Sequence, residues 1–358
     1  MKSHKFRPAA GFVSLILIFG WSLALADQPV IEEFSVNGLK VLLKPNTANE
    51  IISAQLYLRG GAMNLEESTQ GIEPLIFNSA LKGTKNYPKE TINSILDRTA
   101  TQITTASSRD FTTVSLRCIK RYFDETWNVF ADVIMNPTFP PEEVELVRKQ
   151  LLTGIQQRKD FPDVYLRDIV ASLFYSNHPY HLKPEGTEET MSNISIAQME
   201  KHLKGNLVTS KLLLVVVGNV DKDDLKKKVE TSFGKLINGD YQPSYPSVVR
   251  HETPDLQVVQ RELPTNYIIA YFSAPNRNQP DFYPMTIAIS ILRSRVWETL
   301  SSGMVALSAH VVLSDMAQWH EILGTLRNLL HNRYAIDHIT LQPELDHQIV
   351  QPLINIRE

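Results

Sequence analysis

Gly71-Ile72-Glu73-Pro74-Leu75-Ile76-Phe77-Asn78-Ser79-Ala80-Leu81-Lys82-Gly83-Thr84 is the stretch from which the rest of this chain is read. It reads as a helix over about 71–82, stopped by a turn glycine at Gly83. Proline is tolerated at position 74 because the first turn of a helix has N–H groups without intrahelical partners. The side chains at 74, 77 and 78 share one helix face, since residues three and four apart are neighbours. None of them carries strong chemistry. Pro74 has no donor or acceptor, Phe77 cannot take a proton, and Asn78 is a weak, neutral ligand at best.

Outward from that helix, strands and helices alternate from Ile31 to Leu236. Residues 34–43 and 51–58 alternate as strands do, parted by a polar turn at Pro45-Asn46. A helix over 88–98 follows, then strands over 101–106 and 111–118, joined by Ser107-Ser108-Arg109-Asp110. Phe123, Trp127, Phe130 and Ile134 recur at helical spacing and mark the buried face of a helix over 121–135. A second helix, over 141–159, opens on Pro140-Pro141 with Glu142 and Glu143 in its first turn, as suits a helix N-terminus. The apolar run Lys211 to Val217 reads as a buried strand, and Asp221 to Phe233 as an amphipathic helix. Residues 237–255 are rich in Pro, Ser, Tyr and Gly and read as a linker. Beyond it, 256–261 and 267–272 look strand-like and 280–296 helical, so the second unit begins in the same order as the first.

The N-terminus reads as a secretory signal over residues 1–26. Lys2, Lys5 and Arg7 precede the apolar Gly11 to Leu23, and Ala24-Leu25-Ala26 is a small-x-small cleavage site. No later stretch is apolar and long enough to span a bilayer. The formal charge of −3 is mild and evenly spread. It forms no basic stripe, which argues against nucleic acid as a partner. The single cysteine, Cys118, lies in an apolar strand pattern and reads as a small core residue. An exported chain without an intrachain disulfide fits the periplasm. His178 and His181 stand in an H-P-Y-H loop with no acidic or Cys partner at ligand spacing. His320-Glu321 fails as H-E-x-x-H because position 324 is Gly, and the other histidines read as surface groups.

The opening stretch resembles the zinc helix of the insulinase/pitrilysin metallopeptidase family, whose frame reads G-x-x-H-x-x-E-H and then G-T. In that frame two imidazoles at i and i+4 hold one ion, and a Glu between them polarises the bound water. Pro74, Phe77 and Asn78 occupy the first His, the Glu and the second His. The family's remote ligand sits on a later helix in a frame like E-R-x-x-x-L-x-E-I. Val147-Arg148-Lys149-Gln150-Leu151-Leu152-Thr153-Gly154-Ile155 is similar to it, with Gly154 at the ligand position. Other segments keep the family's order. Leu58-Arg59-Gly60-Gly61-Ala62 resembles its G-G turn, and Gln102 to Asp110 its N-A-x-T-S-R-E strand. Asn177-His178-Pro179-Tyr180 with Gly186-Thr187-Glu188-Glu189-Thr190 resembles its H-P-Y…G-T-E-E segment, and Val215 to Asp221 its V-V-G-D-V-D strand end.

This resemblance implies an α+β fold. A two-layer domain over 27–236, with a mixed, mostly antiparallel sheet packed by helices, is followed across the linker 237–255 by a related, incomplete domain over 256–358. Residues 303–358 match nothing in the family's pattern. The resemblance also implies a non-catalytic subunit with no cofactor of its own. Its partner would be a zinc-bearing subunit of the same family, in a heterodimer enclosing an unfolded peptide. Thr104, Thr105, Ala106 and Ser107 match the edge strand that pairs with the peptide in the family. Two other readings stay open: a stand-alone periplasmic peptide-binding or structural protein, and a zinc metallopeptidase using other ligands.

Overall fold

A computed structural model describes residues 31–244, and beyond them 246–251, 253, 255–263, 266–295, 297–299, 305–313, 319–334 and 338–345. The leader read over residues 1–26 lies outside these. The first half of the described chain is one sheet packed by helices. Strands β1 (Glu32–Val36) and β2 (Leu39–Pro45) form a hairpin, and β3 (Ile51–Arg59) follows. Helices α1 (Ile72–Ala80) and α2 (Lys89–Thr99) lead to β4 (Gln102–Ser107) and β5 (Phe111–Ile119). Helices α3 (Phe123–Met135), α4 (Pro141–Gln157), α5 (Pro162–Phe174), α6 (Glu188–Asn193) and α7 (Ile196–Asn206) then precede β6 (Leu212–Gly218) and α8 (Lys222–Phe233).

The sheet order is β1-β2-β6-β3-β5-β4. Only the β2–β6 pair is parallel; the other neighbours are antiparallel. The late strand β6 therefore sits between the two early strands β2 and β3. Alternate residues of β3 and β6 (Ala54, Leu56, Leu58, Leu214, Val216) are buried in one hydrophobic core with α1, α3 and α8. Trp127 anchors that core. Its ring meets those of Phe123, Phe130 and Phe233, and its Nε1–H donates to Ser232 Oγ at 2.9 Å. Cys118 is buried in the same core.

Three expectations need correction. The single strand read over 34–43 is two, because Asn37 and Gly38 turn with φ of 46° and 86°. Positive φ at both central residues matches the right-handed twist of a tight hairpin. The Asn37 amide also donates to Leu236 O at 2.7 Å, tying the turn to the end of α8. The strand-like segments 256–261 and 267–272 are not strands. Their alternation is real, but no neighbouring strand pairs with them among the described residues, and Ile268 is 91% exposed. The histidines read as surface groups include one exception, His202, described below. The second unit otherwise holds α9 (Phe282–Arg295), β7 (Trp297–Thr299), β8 (Val305–Leu313), α10 (Trp319–Tyr334) and β9 (His338–Leu345), with strand order β7-β8-β9.

Candidate functional site

Helix α1 packs against β4, α4 and α7. Its entry is set by Gly71, which has a φ of 84°. A Cβ there would lie 2.9 Å from Glu185 O and from Gly186 Cα. Pro74 falls in the first turn, as expected. Pro74 and Asn78 are half-buried and joined, the Asn78 amide donating to Pro74 O at 2.8 Å. Phe77, by contrast, is only 2% exposed and belongs to the hydrophobic core. Gly154 is exposed on α4, and a Cβ built on it meets no atom within 4 Å. The motif positions therefore hold a ring turned into the core, a carboxamide bonded to its own helix, a proline and a glycine with no side chain. This donor set does not fit zinc, which takes imidazole, thiolate or carboxylate ligands. Among the described residues no group of three or more His, Cys, Asp or Glu is placed to hold a metal.

Beside α1, β4 is an edge strand of the sheet. The Ser108 N–H donates to Phe111 O, which fixes the bonding phase of the β4–β5 ladder. Bonded pairs in an antiparallel ladder recur at every second residue. They fall at Ala106/Thr113, Thr104/Ser115 and Gln102/Arg117. The main-chain groups of Ile103, Thr105 and Ser107 then point away from β5, to the free edge. Among the described residues nothing else bonds to them.

One polar chain links this strand to α1, and the sequence reading missed it. Glu73, only 2% exposed, accepts from the Thr112 hydroxyl at 2.5 Å, and Thr112 shares a 2.9 Å hydrogen bond with the Ser107 hydroxyl. On its other oxygen Glu73 meets His202 Nε2 of α7 at 3.2 Å. Lys211 lies close by, donating to Asn206 Oδ1 and facing the Tyr241 ring. Burial pushes the Lys211 ammonium below the usual lysine range, and the Glu73 charge acts against that. The one available sequence signal is an acidic residue inside an otherwise apolar first helical turn.

The H-P-Y-H loop holds no metal pair, because its two imidazoles are engaged separately. His178 Nδ1 accepts from Tyr180 N–H at 3.1 Å, so its Nε2–H faces Ser247 O at 3.1 Å. His181 bonds Glu67 through Nε2 and His178 O through Nδ1. The Glu67 carboxylate and then the His178 carbonyl raise the His181 pKa. A raised folded-state pKa gives stability that is full below the unfolded value of about 6.5 and is lost as pH rises through the folded value. The pair is half-exposed, so its contribution is small. The urea midpoint of the wild type should exceed that of Glu67→Gln near pH 6 and coincide with it at pH 9 or above. An equal gap at both values would detach the pair from stability.

The fold and the emptied motif helix together define a class, that of zinc-peptidase-like α+β proteins without the metal side chains. The profile described as Insulinase (Peptidase family M16) matches residues 40–188, and that described as Peptidase M16 inactive domain matches residues 193–304. The chain belongs to the insulinase family, peptidase family M16. It is similar to the mitochondrial-processing peptidase subunit beta of Blastocladiella emersonii, with 22% identity over 260 residues, 72% of this chain and 55% of that protein. It is also similar to the non-peptidase homolog YmxG of Helicobacter pylori, with 22% identity over 266 residues, 73% of this chain and 60% of that protein. A solved peptidase M16 inactive domain from Pseudomonas fluorescens shares the fold, with TM-score 0.57 and 18% identity, covering 62% of this chain and 55% of that one. The chain spans about half the length of the first curated relatives it matches, at 55%, 48% and 50%. The second profile match stops at residue 304, close to where the sequence departs from the family's pattern.

Proposed function

We propose that this chain is a non-catalytic insulinase-family subunit that pairs with a zinc-bearing subunit and holds an extended peptide along the free edge of β4. One observation carries the reading. The positions of both His ligands, the general base and the remote ligand hold Pro74, Asn78, Phe77 and Gly154, while the adjacent strand keeps a free main-chain edge. An added strand needs main-chain groups rather than special side chains, so peptide binding survives where hydrolysis does not. Thr104, Thr105, Ala106 and Ser107 are the contact residues of this reading. The partner supplies the zinc, and this chain supplies wall and substrate contacts. The naming of relatives as a peptidase subunit and as a non-peptidase homolog supports both halves of the reading. Two domains, over 27–236 and 256–358, form the subunit. Residues 1–26 direct it to the periplasm. Among the described residues no helix is long and apolar enough to cross a membrane.

The test is co-expression with a family member from the same genome that keeps H-x-x-E-H. Co-elution of the two, with peptide hydrolysis by the pair and not by this chain alone, is the expected result. Full activity of the zinc-bearing member by itself removes the proposed role. Peptide binding by this chain without co-elution favours the stand-alone reading instead. Stoichiometric zinc in this chain with chelator-sensitive cleavage overturns the non-catalytic reading altogether.

A further inference from the structure

A second concavity lies on the far side of α7 from Glu73. In α7, Met199 is buried and His202 faces Glu73, while Leu203, Lys204 and, just past the helix end, Leu207 line a cleft of about 380 Å³. Small-molecule sites run from ~300 to 1,000 Å³, so this is room for one slender ligand. Its floor is apolar, with Phe139 from the segment between α3 and α4 and Ile237 at the lip. Ile237 is 68% exposed, an uncovered branched side chain beside an apolar floor.

Phe139 carries the second observation. Its φ is 48°, a conformation rare for a bulky residue. Its surroundings impose it: Thr138 N–H donates to Gly83 O, Lys85 N–H donates to Asn136 O, and Val144 N–H donates to Pro140 O. Both flanks of Phe139 are thus bonded in place. Strained backbone that neighbours over-determine clusters at binding sites.

The third observation is charge. Lys204 and Lys235 both line the cleft, and neither side chain makes a hydrogen bond or an ion pair among the described residues. Glu200 is the one acidic residue in the lining and is also without an ion pair there. The cleft therefore pairs an apolar floor with a net positive rim. It has little room for a ligand with two chains.

We infer that the cleft formed by Phe139, Leu203, Leu207 and Ile237, with Lys204 and Lys235 at its rim, binds a medium-chain fatty acid, its alkyl chain on the apolar floor and its carboxylate at the lysines. The site is separate from the β4 edge and does not rest on peptide binding. Titration of the full chain with sodium decanoate below its micelle concentration tests it by calorimetry. The expected result is saturable one-site binding, at least tenfold tighter than for decyltrimethylammonium. Lys204→Gln/Lys235→Gln, two exposed positions that leave the core untouched, should weaken decanoate at least tenfold. Decanoate should also raise the urea midpoint of the wild type, because a ligand that binds only the folded state stabilises it. Absence of saturable binding, equal binding of the cationic amphiphile, an unchanged affinity in the double variant, or a lowered midpoint would each overturn the assignment.

Discussion

Thr105→Pro should cost at least tenfold in affinity for an extended peptide while leaving the fold standing. Thr105 N–H points to the free edge of β4, so proline there removes a donor that no other strand uses. Proline is accommodated in edge strands when its missing N–H faces outward. The residue before it, Thr104, is already extended, as a pre-proline residue prefers. Thr104→Pro is the contrasting change, because Thr104 N–H belongs to a bonded pair with Ser115. Losing that bond and leaving the Ser115 carbonyl without its donor should cost stability by about 1–3 kcal/mol. Anisotropy of a labelled unfolded peptide reads the first effect, and urea unfolding reads the second. If Thr105→Pro binds peptide like the wild type, the free edge of β4 is not the peptide site.

Phe77→Glu, which puts the family's general base back, should destabilise the domain by roughly 4 kcal/mol or more. Emptying a buried Phe position costs about 3–5 kcal/mol through lost transfer and a cavity. A carboxylate set there without a partner adds desolvation to that. Phe77→Leu, which keeps the position apolar, should cost about 1–2 kcal/mol. Pro74→His and Asn78→His change half-buried positions and should be far milder. Urea unfolding of the four variants ranks them. A Phe77→Glu variant as stable as the wild type would show that the position opens to water and that the active constellation is closer than the packing implies. The expected ranking means that hydrolysis cannot return by one reversion at a time, since the central step unseats the core.

Where local periodicity meets a complete tertiary partner, the fold is legible in the residues. The spacing of Phe123, Trp127, Phe130 and Ile134 identified a helix face, and all four are buried. The run before Gly218 read as a buried strand, and it lies inside the sheet between β2 and β3. The Asn37-Gly38 hairpin was missed although the apolar alternation changes phase across it, from Phe34 and Val36 to Leu39, Val41 and Leu43, and an Asn-Gly pair is itself a turn signal. Alternation at 256–272 was correct as chemistry and wrong as structure, since a strand exists only through the neighbour that bonds it. The motif helix and its emptied positions were readable residue by residue. The Glu73–His202 pair was not, because 129 residues separate its members and only the packing of α7 on α1 brings them together. Likewise, the sequence marks β4 as a strand, but only the sheet order makes it an edge.

The placement of β6 has a consequence for how the chain is made. Until residues 212–218 are available, the β1–β2 hairpin and the β3–β5–β4 sheet have no hydrogen bonds joining them. The sheet is completed last, by a keystone strand translated long after the strands it joins. Closure over so long a sequence separation is slow. The nascent polypeptide thus has no joined six-stranded sheet until β6 has been made. A fragment ending before β6 would leave the facing edges of β2 and β3 without the strand that pairs with both.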